Sequence, residues 1–485
     1  MIKVLIIKEI FDMMRVRKRA AYEIDMINGP LLGKIIRFSF SLMLTNILQL
    51  LYNAADLVII GQFSGNQTAV AAVGATGSLT SLIVNLFIGL SVGVSVLVAR
   101  GCGTGNRKAT QDIVHTSMTV ALISGFIVLA IGMIFSRMFL EWMDTSPAII
   151  EQSTLYLMIY FAGSPFNMIY NFGASVLRAT GDTKRPLYFL TLSGLINVVL
   201  NFIFVYFFHM DVAGVALATI ISQLVSAALI VVCLMKQEGA CRLDIRKLRI
   251  NKDVFVQIIR IGLPASIQST VFSISNILIQ SSINSFDIPF VALGKAPYTS
   301  GSSASANIEL FVNMSMNALY QAALNFTGQN IAAGKYKRSR RVLSLSLICV
   351  TVIGVVMGGF CLLFGRELLG VYIPNDPEAI AYGYRRLFLI CATYWLCGIM
   401  DVTVGQLRGL GHSMVPMLVS VIGICGFRIL WINTVFAAYH TWEILFISYP
   451  VSWIITGGAH LLCYFFIQRK LPKEDLSLPL QTQSD

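Results

Sequence analysis

The sequence predicts an all-α integral membrane protein with twelve transmembrane helices in two pseudo-symmetric six-helix lobes. Three observations support this fold class. First, 56% of the 485 residues are hydrophobic and only 12% are charged, whereas soluble domains carry roughly 25% charged residues. Second, twelve apolar stretches are long enough for a helix to cross about 30 Å of hydrocarbon. Third, short motifs recur in the same order in the two halves of the chain.

The apolar stretches alternate with short polar segments, and we number them as spans 1 to 12. Each is predicted to be helical, because only a helix satisfies its own backbone hydrogen bonds within lipid. The spans cover residues 34–60, 70–99, 113–136, 152–175, 186–208, 213–235, 254–284, 301–326, 342–365, 387–407, 415–438 and 444–468.

The distribution of cationic residues predicts the orientation of these spans. With the N-terminus in the cytoplasm, 28 of the 36 Lys and Arg residues fall in inner segments, and the outer loops hold only Arg137, Arg366, Arg385 and Arg386. Membrane proteins concentrate Lys and Arg in their cytoplasmic loops. We therefore expect both termini in the cytoplasm, and the net charge of +12 needs no nucleic acid as a partner.

A long polar stretch at the midpoint of the chain separates six spans from the next six. We predict a cytoplasmic N-terminal tail (1–30), an N-lobe (31–235), a cytoplasmic linker (236–253), a C-lobe (254–470) and a cytoplasmic C-terminal tail (471–485). The nine cysteines include no Cys-x-x-Cys pair, and no two of the five histidines are four residues apart. The sequence therefore predicts neither a cofactor site nor a local transition-metal site.

Three motifs recur across the linker with an offset that changes from 223 to 230 residues. Six spans per half is an even number, so the halves share one orientation, which is typical of transporters that rock two bundles around a midplane site. The matched segments are Ile35-Ile36-Arg37 with Ile258-Ile259-Arg260, Gly101 and Gly105 with Gly328 and Gly334, and 177–182 with 407–412.

These motifs resemble the multidrug and toxic compound extrusion (MATE) family. The opening Ile36-Arg37-Phe38 to Asn53-Ala54-Ala55-Asp56 is closest to its bacterial branch of DNA-damage-inducible type, and the resemblance runs from about Leu31 to Lys470. It implies a V-shaped pair of lobes in the bacterial inner (plasma) membrane that exports organic, cationic and amphipathic compounds in exchange for H⁺ or Na⁺ by alternating access. We expect a monomer whose partners are its substrates and the lipid bilayer.

Asp56 in span 1 is the main candidate for ion coupling. An ionisable group inside a span is costly unless it faces a cavity or a partner. Asn53 lies one turn earlier on the same helical sector, and Asn197 and Asn201 share a face of span 5. The resemblance implies a coupling role for Asp56, and the alternative is a buried carboxylate that serves packing alone.

The residue at position 201 bears on the choice of ion. Family members often carry an Asp there, whereas this chain has Asn201. Sodium prefers several oxygens including one or two carboxylates, so a single acid at Asp56 favours a proton. Sodium bound at Asp56 stays open as the alternative, and Asn171 in span 4 is a further candidate for this site.

The second half offers fewer and less specific candidates. Asp401 lies 230 residues after Asn171 and could couple an ion or pair with Arg428. Glu309 could face a cationic substrate or be held by a partner within the protein. Gln268 and Asn276 are the polar candidates of span 7, for an ion or a substrate.

Other functions are less consistent with the sequence. We expect no enzyme. A membrane acyltransferase would need a histidine with an aspartate four or five residues downstream, and no histidine of this sequence has one. The sequence also lacks the phosphate-binding loop of an ATP-driven pump. The alternative to drug efflux is a flippase of the same superfamily for lipid-linked oligosaccharides or polysaccharides. Such a flippase would need a more basic cleft than the few cations within the spans provide.

Overall fold

The structure of the protein is a computed structural model that describes residues 22–64, 68–293, 295–374 and 376–476. Across these ranges every regular element is a helix, and the one β-type contact is an isolated antiparallel bridge between Glu23 and Asp182. The predicted all-α class is therefore confirmed.

In the first half, each predicted span corresponds to one long helix or to two consecutive helices. Span 4 is broken at Gly163, after which Pro165 occupies the first turn of a new helix, where its missing N–H costs nothing. The helices are Leu31–Phe63 (span 1), Ala69–Thr104 (span 2), Arg107–Trp142 (span 3), Ile150–Ala162 and Ser164–Ala179 (span 4), Lys184–Phe202 continued by the π-helical turn Ile203–Phe207 (span 5), and Asp211–Lys236 (span 6).

The second half repeats this arrangement. Short helices at Ile245–Lys247, Ile288–Leu293 and Gly365–Tyr372 lie between the long ones. The long helices are Lys252–Ser285 (span 7), Pro297–Ala332 (span 8), Tyr336–Leu363 (span 9), Pro377–Cys391 and Tyr394–Gly409 (span 10), Met414–Phe436 with two π-helical turns (span 11), and Trp442–Arg469 (span 12).

Span 10 differs from its predicted bounds. Its first helix begins at Pro377 rather than at residue 387, and it bends by 46° before the second helix. Arg386, predicted in an outer loop, therefore lies within a helix, and it is buried. That prediction was wrong because hydropathy treats every arginine alike. An arginine buried in an ion pair lowers the apolarity of its segment as much as an arginine exposed to water does.

Nine helices of the described ranges are long and apolar enough to cross a membrane, and a tenth crossing is added when the bent pair of span 10 is taken as one. Spans 4 and 8 are helical but do not meet that criterion. The helices of span 4 have 13 and 16 residues, shorter than a full crossing. Span 8 is long enough but carries Glu309 and several amide side chains.

The repeated glycine motifs have the same backbone geometry in both halves. After span 2 and span 8, Gly105 and Gly334 have φ of 67° and 70°; after span 4 and span 10, Gly181 and Gly411 have φ of 96° and 84°. Only glycine adopts such angles without strain. The helix ends that follow spans 4 and 10 are therefore built from the same turn.

Packing divides the chain into two units. Of the described residues, one unit comprises those up to Gly77 together with Leu97–Phe255, and the other comprises Ser78–Val96 together with those from Val256 onward. Span 2 contributes to both. In the second unit its glycines permit close approach to span 7, since a Cβ on Gly93 would lie 2.5 Å from the backbone oxygen of Ile258.

Candidate functional site

Asp56 lies two turns before the end of the span 1 helix at Phe63. Its carboxylate accepts a hydrogen bond from the side-chain amide of Asn201 in span 5. The same amide also donates to Asn197 Oδ1 at 3.4 Å, one turn earlier. Asn197 and Asn201 are buried because span 5 packs against spans 1 and 6. The structure thus brings together three of the predicted coupling residues.

The hydrogen bonds of this cluster leave one buried acceptor unused. Asn197 donates to Thr219 Oγ1 of span 6 at 3.5 Å, and Thr219 donates to the backbone oxygen of Val215 at 2.9 Å. Asn201 Oδ1 is buried and has no hydrogen-bond partner within the ranges that the structure describes. Leaving such a group unpaired costs about 1–3 kcal/mol. A water, a proton-bearing group or a cation at this oxygen would therefore be stabilised.

The other two predicted members of the site lie at its edge or outside it. Asn53 is exposed, one turn before Asp56. Asn171 donates to Asn167 Oδ1 at 2.6 Å and to the backbone oxygen of Asn167 at 2.9 Å. The amide of Asn171 therefore bonds within its own helix, and Asn53 is an exposed amide next to the cluster.

Two tyrosines of span 4 are close enough to Asp56 to interact with its charge, although no sequence motif singled them out. The rings of Tyr156 and Tyr160 stack with their centroids 6.1 Å apart, and both interact electrostatically with Asp56. Tyr160 also hydrogen-bonds Gln223 of span 6. Their i, i+4 spacing places both rings on one helix face, but only the packing of span 4 shows that this face is turned toward Asp56.

An apolar cluster covers the helix ends beyond Asp56. At the end of the span 1 helix, Phe63 packs edge-on against Phe202 and Tyr206, with ring centroids 5.3 and 5.8 Å apart. Burying a charge in dry apolar surroundings is costly, and the exposed amide of Asn53 is a polar group one turn before Asp56 on the same helix. The buried members of the cluster are Ile59, Ile60, Ala69, Ala72, Val73, Tyr156, Val205, Val212, Val215 and Ala216.

In the second half, Glu309 is held by an ion pair rather than left open. Arg386 Nε and Nη2 donate to the two carboxylate oxygens of Glu309, each at 3.0 Å, and Ser305 donates to the same carboxylate at 2.9 Å. The helices of spans 8 and 10 approach closely here, since a Cβ on Gly301 would lie 2.2 Å from the backbone oxygen of Ala379. Glu309 is thus neutralised within the protein.

Gln268 belongs to a buried polar network around Arg408. Arg408 donates to Gln268 Oε1 at 2.7 Å and to the hydroxyl of Tyr320 at 2.6 Å. Gln268 in turn donates to Ser420 Oγ at 3.1 Å. Both ends of the Gln268 amide are therefore occupied by groups of the protein.

Asp401 lies near this network and interacts electrostatically with Arg408. Arg428, the partner that the sequence suggests for Asp401, stacks over the ring of Tyr449 at 3.8 Å from the centroid and donates to Ser452. Asn276 of span 7 is exposed. The structure therefore does not bring the four second-lobe candidates together as one site.

Asp56 and Glu309 differ in the feature that matters for ion exchange. Glu309 has a bidentate arginine, whereas Asp56 forms no ion pair within the described residues and has a neutral amide as its hydrogen-bond donor. A carboxylate that is not paired with a Lys or Arg side chain can bind and release a proton or a small cation, because the bound ion then supplies the positive charge that neutralises it. Asp56 is the better placed of the two acids for that exchange.

A family model matches segments of both halves of the chain. The model of the MatE family matches residues 41–203 and 273–432, about two thirds of the chain. The first matched segment contains Asp56 and its span 5 partners, and the second contains Glu309 and Asp401. Gln268 lies outside both segments.

Individual relatives match along most of their length. The chain is 27% identical over 459 residues to the probable multidrug resistance protein YoeA of Bacillus subtilis, covering 92% of this chain and 95% of that one. It is 24% identical over 458 residues to an FAD transporter of Shewanella oneidensis, covering 91% and 96%.

A solved structure is similar over nearly the whole fold. An outward-facing multidrug resistance MATE family transporter matches with a TM-score of 0.84 at 20% identity, covering 92% of this chain and 98% of that one. Such a likeness shows the fold. The predicted class, twelve transmembrane helices in two lobes, is thereby confirmed.

Proposed function

The chain belongs to the MatE family, and from this premise we propose that it is a multidrug efflux transporter that exchanges organic compounds for an ion. Members of this family are multi-pass membrane transporters and not enzymes. The single observation that carries the proposal of ion exchange is the contact of Asp56 with Asn201, without an ion pair. We place the protein in the bacterial inner membrane as a monomer with both termini in the cytoplasm.

The proposed coupling step is the loading and unloading of Asp56. A charged carboxylate only accepts hydrogen bonds, whereas a protonated one also donates. Neutralising Asp56 therefore weakens its bond with Asn201, and that bond joins spans 1 and 5. The ion state of one side chain can in this way change how the two helices pack.

A proton is the coupling ion that the site favours. One proton neutralises a single carboxylate, while sodium needs several oxygens around it. Position 201 supplies an amide rather than a second acid. Sodium remains the alternative, because the unused Asn201 Oδ1 could supply a second oxygen.

The proposed substrates are organic cations with apolar bodies. Relatives named as multidrug resistance proteins support small organic substrates rather than lipid-linked oligosaccharides, so we do not favour the flippase alternative. The relative named as an FAD transporter supports a second candidate, an anionic dinucleotide. Both classes would share the lobes and the coupling site and would differ in the charge of the substrate.

Transport by the purified protein in proteoliposomes tests the proposal. A pH gradient without sodium and a sodium gradient at clamped pH are imposed separately, and the movement of a fluorescent cationic dye and of FAD is followed. We expect the pH gradient to drive the dye. Dye movement with sodium alone would overturn the choice of ion, and movement of FAD alone would overturn the substrate class. If neither compound moves under either gradient, multidrug exchange is refuted.

A further inference from the structure

A cavity of about 250 Å³ opens where span 9 begins and span 12 ends, on the side that the charge pattern assigns to the cytoplasm. Span 9, the last turns of span 12 and the tail that follows all contribute to its wall. Three of its six lining residues are cations. The lining consists of Arg340, Phe465, Gln468, Arg469, Leu471 and Lys473.

The tail that forms one wall is fixed to the start of span 9 and the turn before it by three hydrogen bonds, each of which involves a backbone group. Arg340 Nη2 donates to the backbone oxygen of Pro472 at 3.1 Å. The carboxylate of Asp475 accepts from the backbone N–H of Lys337 at 2.7 Å, in the first turn of span 9. Leu476 N–H donates to the backbone oxygen of Gly334 at 3.0 Å. The cavity is therefore a folded part of the molecule.

The charge in and around this cavity is strongly positive. Residues 335–341 and 469–476 together contain eight Lys and Arg residues but only two acids, Glu474 and Asp475. Arg469 stacks over the ring of Phe465 at 4.8 Å from the centroid. Within the described part of the chain, Arg340, Arg469 and Lys473 form no ion pair with a carboxylate. Among the residues that the structure describes, three cations thus line one cavity with no carboxylate paired to them.

We propose that this cavity binds the phosphate head group of an anionic phospholipid of the inner leaflet. Basic pockets at the cytoplasmic ends of transmembrane helices are suited to acidic head groups. The membrane side of the site supplies the apolar half of the ligand's surroundings, because Leu462, Phe465 and Phe466 of span 12 are exposed. Acyl chains can follow this surface while the phosphate lies between Arg340, Arg469 and Lys473.

Bound lipid would also join the C-terminal tail to the helices. Lys473 belongs to the tail, whereas Arg340 and Arg469 belong to spans 9 and 12. A phosphate shared by the three would reduce the repulsion among them and strengthen the attachment of the tail. This inference uses none of the residues of the Asp56 site and does not depend on the proposed transport activity.

Native mass spectrometry of the full-length protein tests the lipid site. Delipidated protein is titrated with phosphatidylglycerol, with phosphatidylcholine of the same chain length, and with inorganic phosphate. The test variant is Arg340→Gln/Arg469→Gln/Lys473→Gln. The matched control removes three exposed cations of other cytoplasmic segments, Arg107→Gln/Lys108→Gln/Lys247→Gln. Size-exclusion profiles and thermal unfolding confirm that both variants are folded.

We expect the wild type and the control to prefer phosphatidylglycerol, and the test variant to lose affinity for it by on the order of 100-fold, since each cation near an anionic membrane surface contributes about fivefold. An unchanged preference in the test variant would overturn the proposal. An equal loss of phosphatidylglycerol affinity in the control would show that surface charge binds the lipid nonspecifically, and it would refute a specific site. Inorganic phosphate binding as tightly as the lipid would assign the cavity to soluble phosphate and refute a lipid site.

Discussion

Replacing Arg386 by Gln should destabilise the second lobe strongly. Arg386 donates to both oxygens of Glu309 at 3.0 Å, and each side chain is 9% exposed. The substitution leaves a buried carboxylate without its counter-charge, and breaking a buried pair from one side costs about 3–5 kcal/mol. The adjacent Arg385 makes an exposed pair with Glu443 at 3.3 Å. Such pairs are worth about 0–1 kcal/mol, so Arg385→Gln is the matched control.

The free energy of unfolding can be measured by titrating the purified protein with SDS in mixed micelles and following its circular dichroism. In the double variant Glu309→Gln/Arg386→Gln neither charge of the pair stays buried. Its loss of unfolding free energy should therefore be smaller than the sum of the losses in Glu309→Gln and Arg386→Gln, by about 2 kcal/mol or more. Additive losses, or a loss in Arg386→Gln no larger than in Arg385→Gln, would refute the reasoning. A folded double variant that no longer binds drug would place Glu309 in the substrate path.

Two further predictions concern topology and the repeated turns. Single cysteines in a cysteine-free background should react with an impermeant thiol reagent from outside at Asp376 and His440, and only after permeabilisation at Lys247 and Arg338; the reverse pattern would invert the topology. Gly181→Val should lower the yield of folded protein, because φ is 96° and a Cβ would lie 2.3 Å from the backbone oxygen of Ile24; such angles cost about 1–2 kcal/mol for other residues. Gly359→Ala has open space around it and should keep the wild-type yield.

Much of the fold follows from the sequence, because lipid imposes strict requirements. Apolar length located the spans to within several residues at most ends, since unpaired backbone groups are too costly in hydrocarbon. The motif 177–182 and its repeat at 407–412 indicated equivalent turns, and Gly181 and Gly411 both have positive φ. Spacing on span 5 also placed Asn197 and Asn201 on one face, which is the face that meets Asp56.

Other features depend on contacts between distant segments, which periodicity does not contain. The charge of Arg386 lowers the local apolarity, so the sequence predicts a loop there. Its burial is explained by Glu309, which lies 77 residues earlier in the chain. Tyr156 and Tyr160 share a face of span 4, but their proximity to Asp56 results from tertiary packing. Asn53 shares a helical sector with Asp56 and is nevertheless exposed.

The central claim, that Asp56 couples ion movement to export, is tested most directly by Asp56→Asn. This change removes the exchangeable charge and keeps the shape of the side chain and a hydrogen-bonding group beside Asn201. Dye binding to the purified protein and gradient-driven dye uptake into inverted membrane vesicles are measured together, with Asp253→Asn, an exposed acid in the first turn of span 7, as control. We predict that Asp56→Asn binds dye as the wild type does but loses uptake, while the control keeps both. Wild-type uptake by Asp56→Asn would contradict the claim.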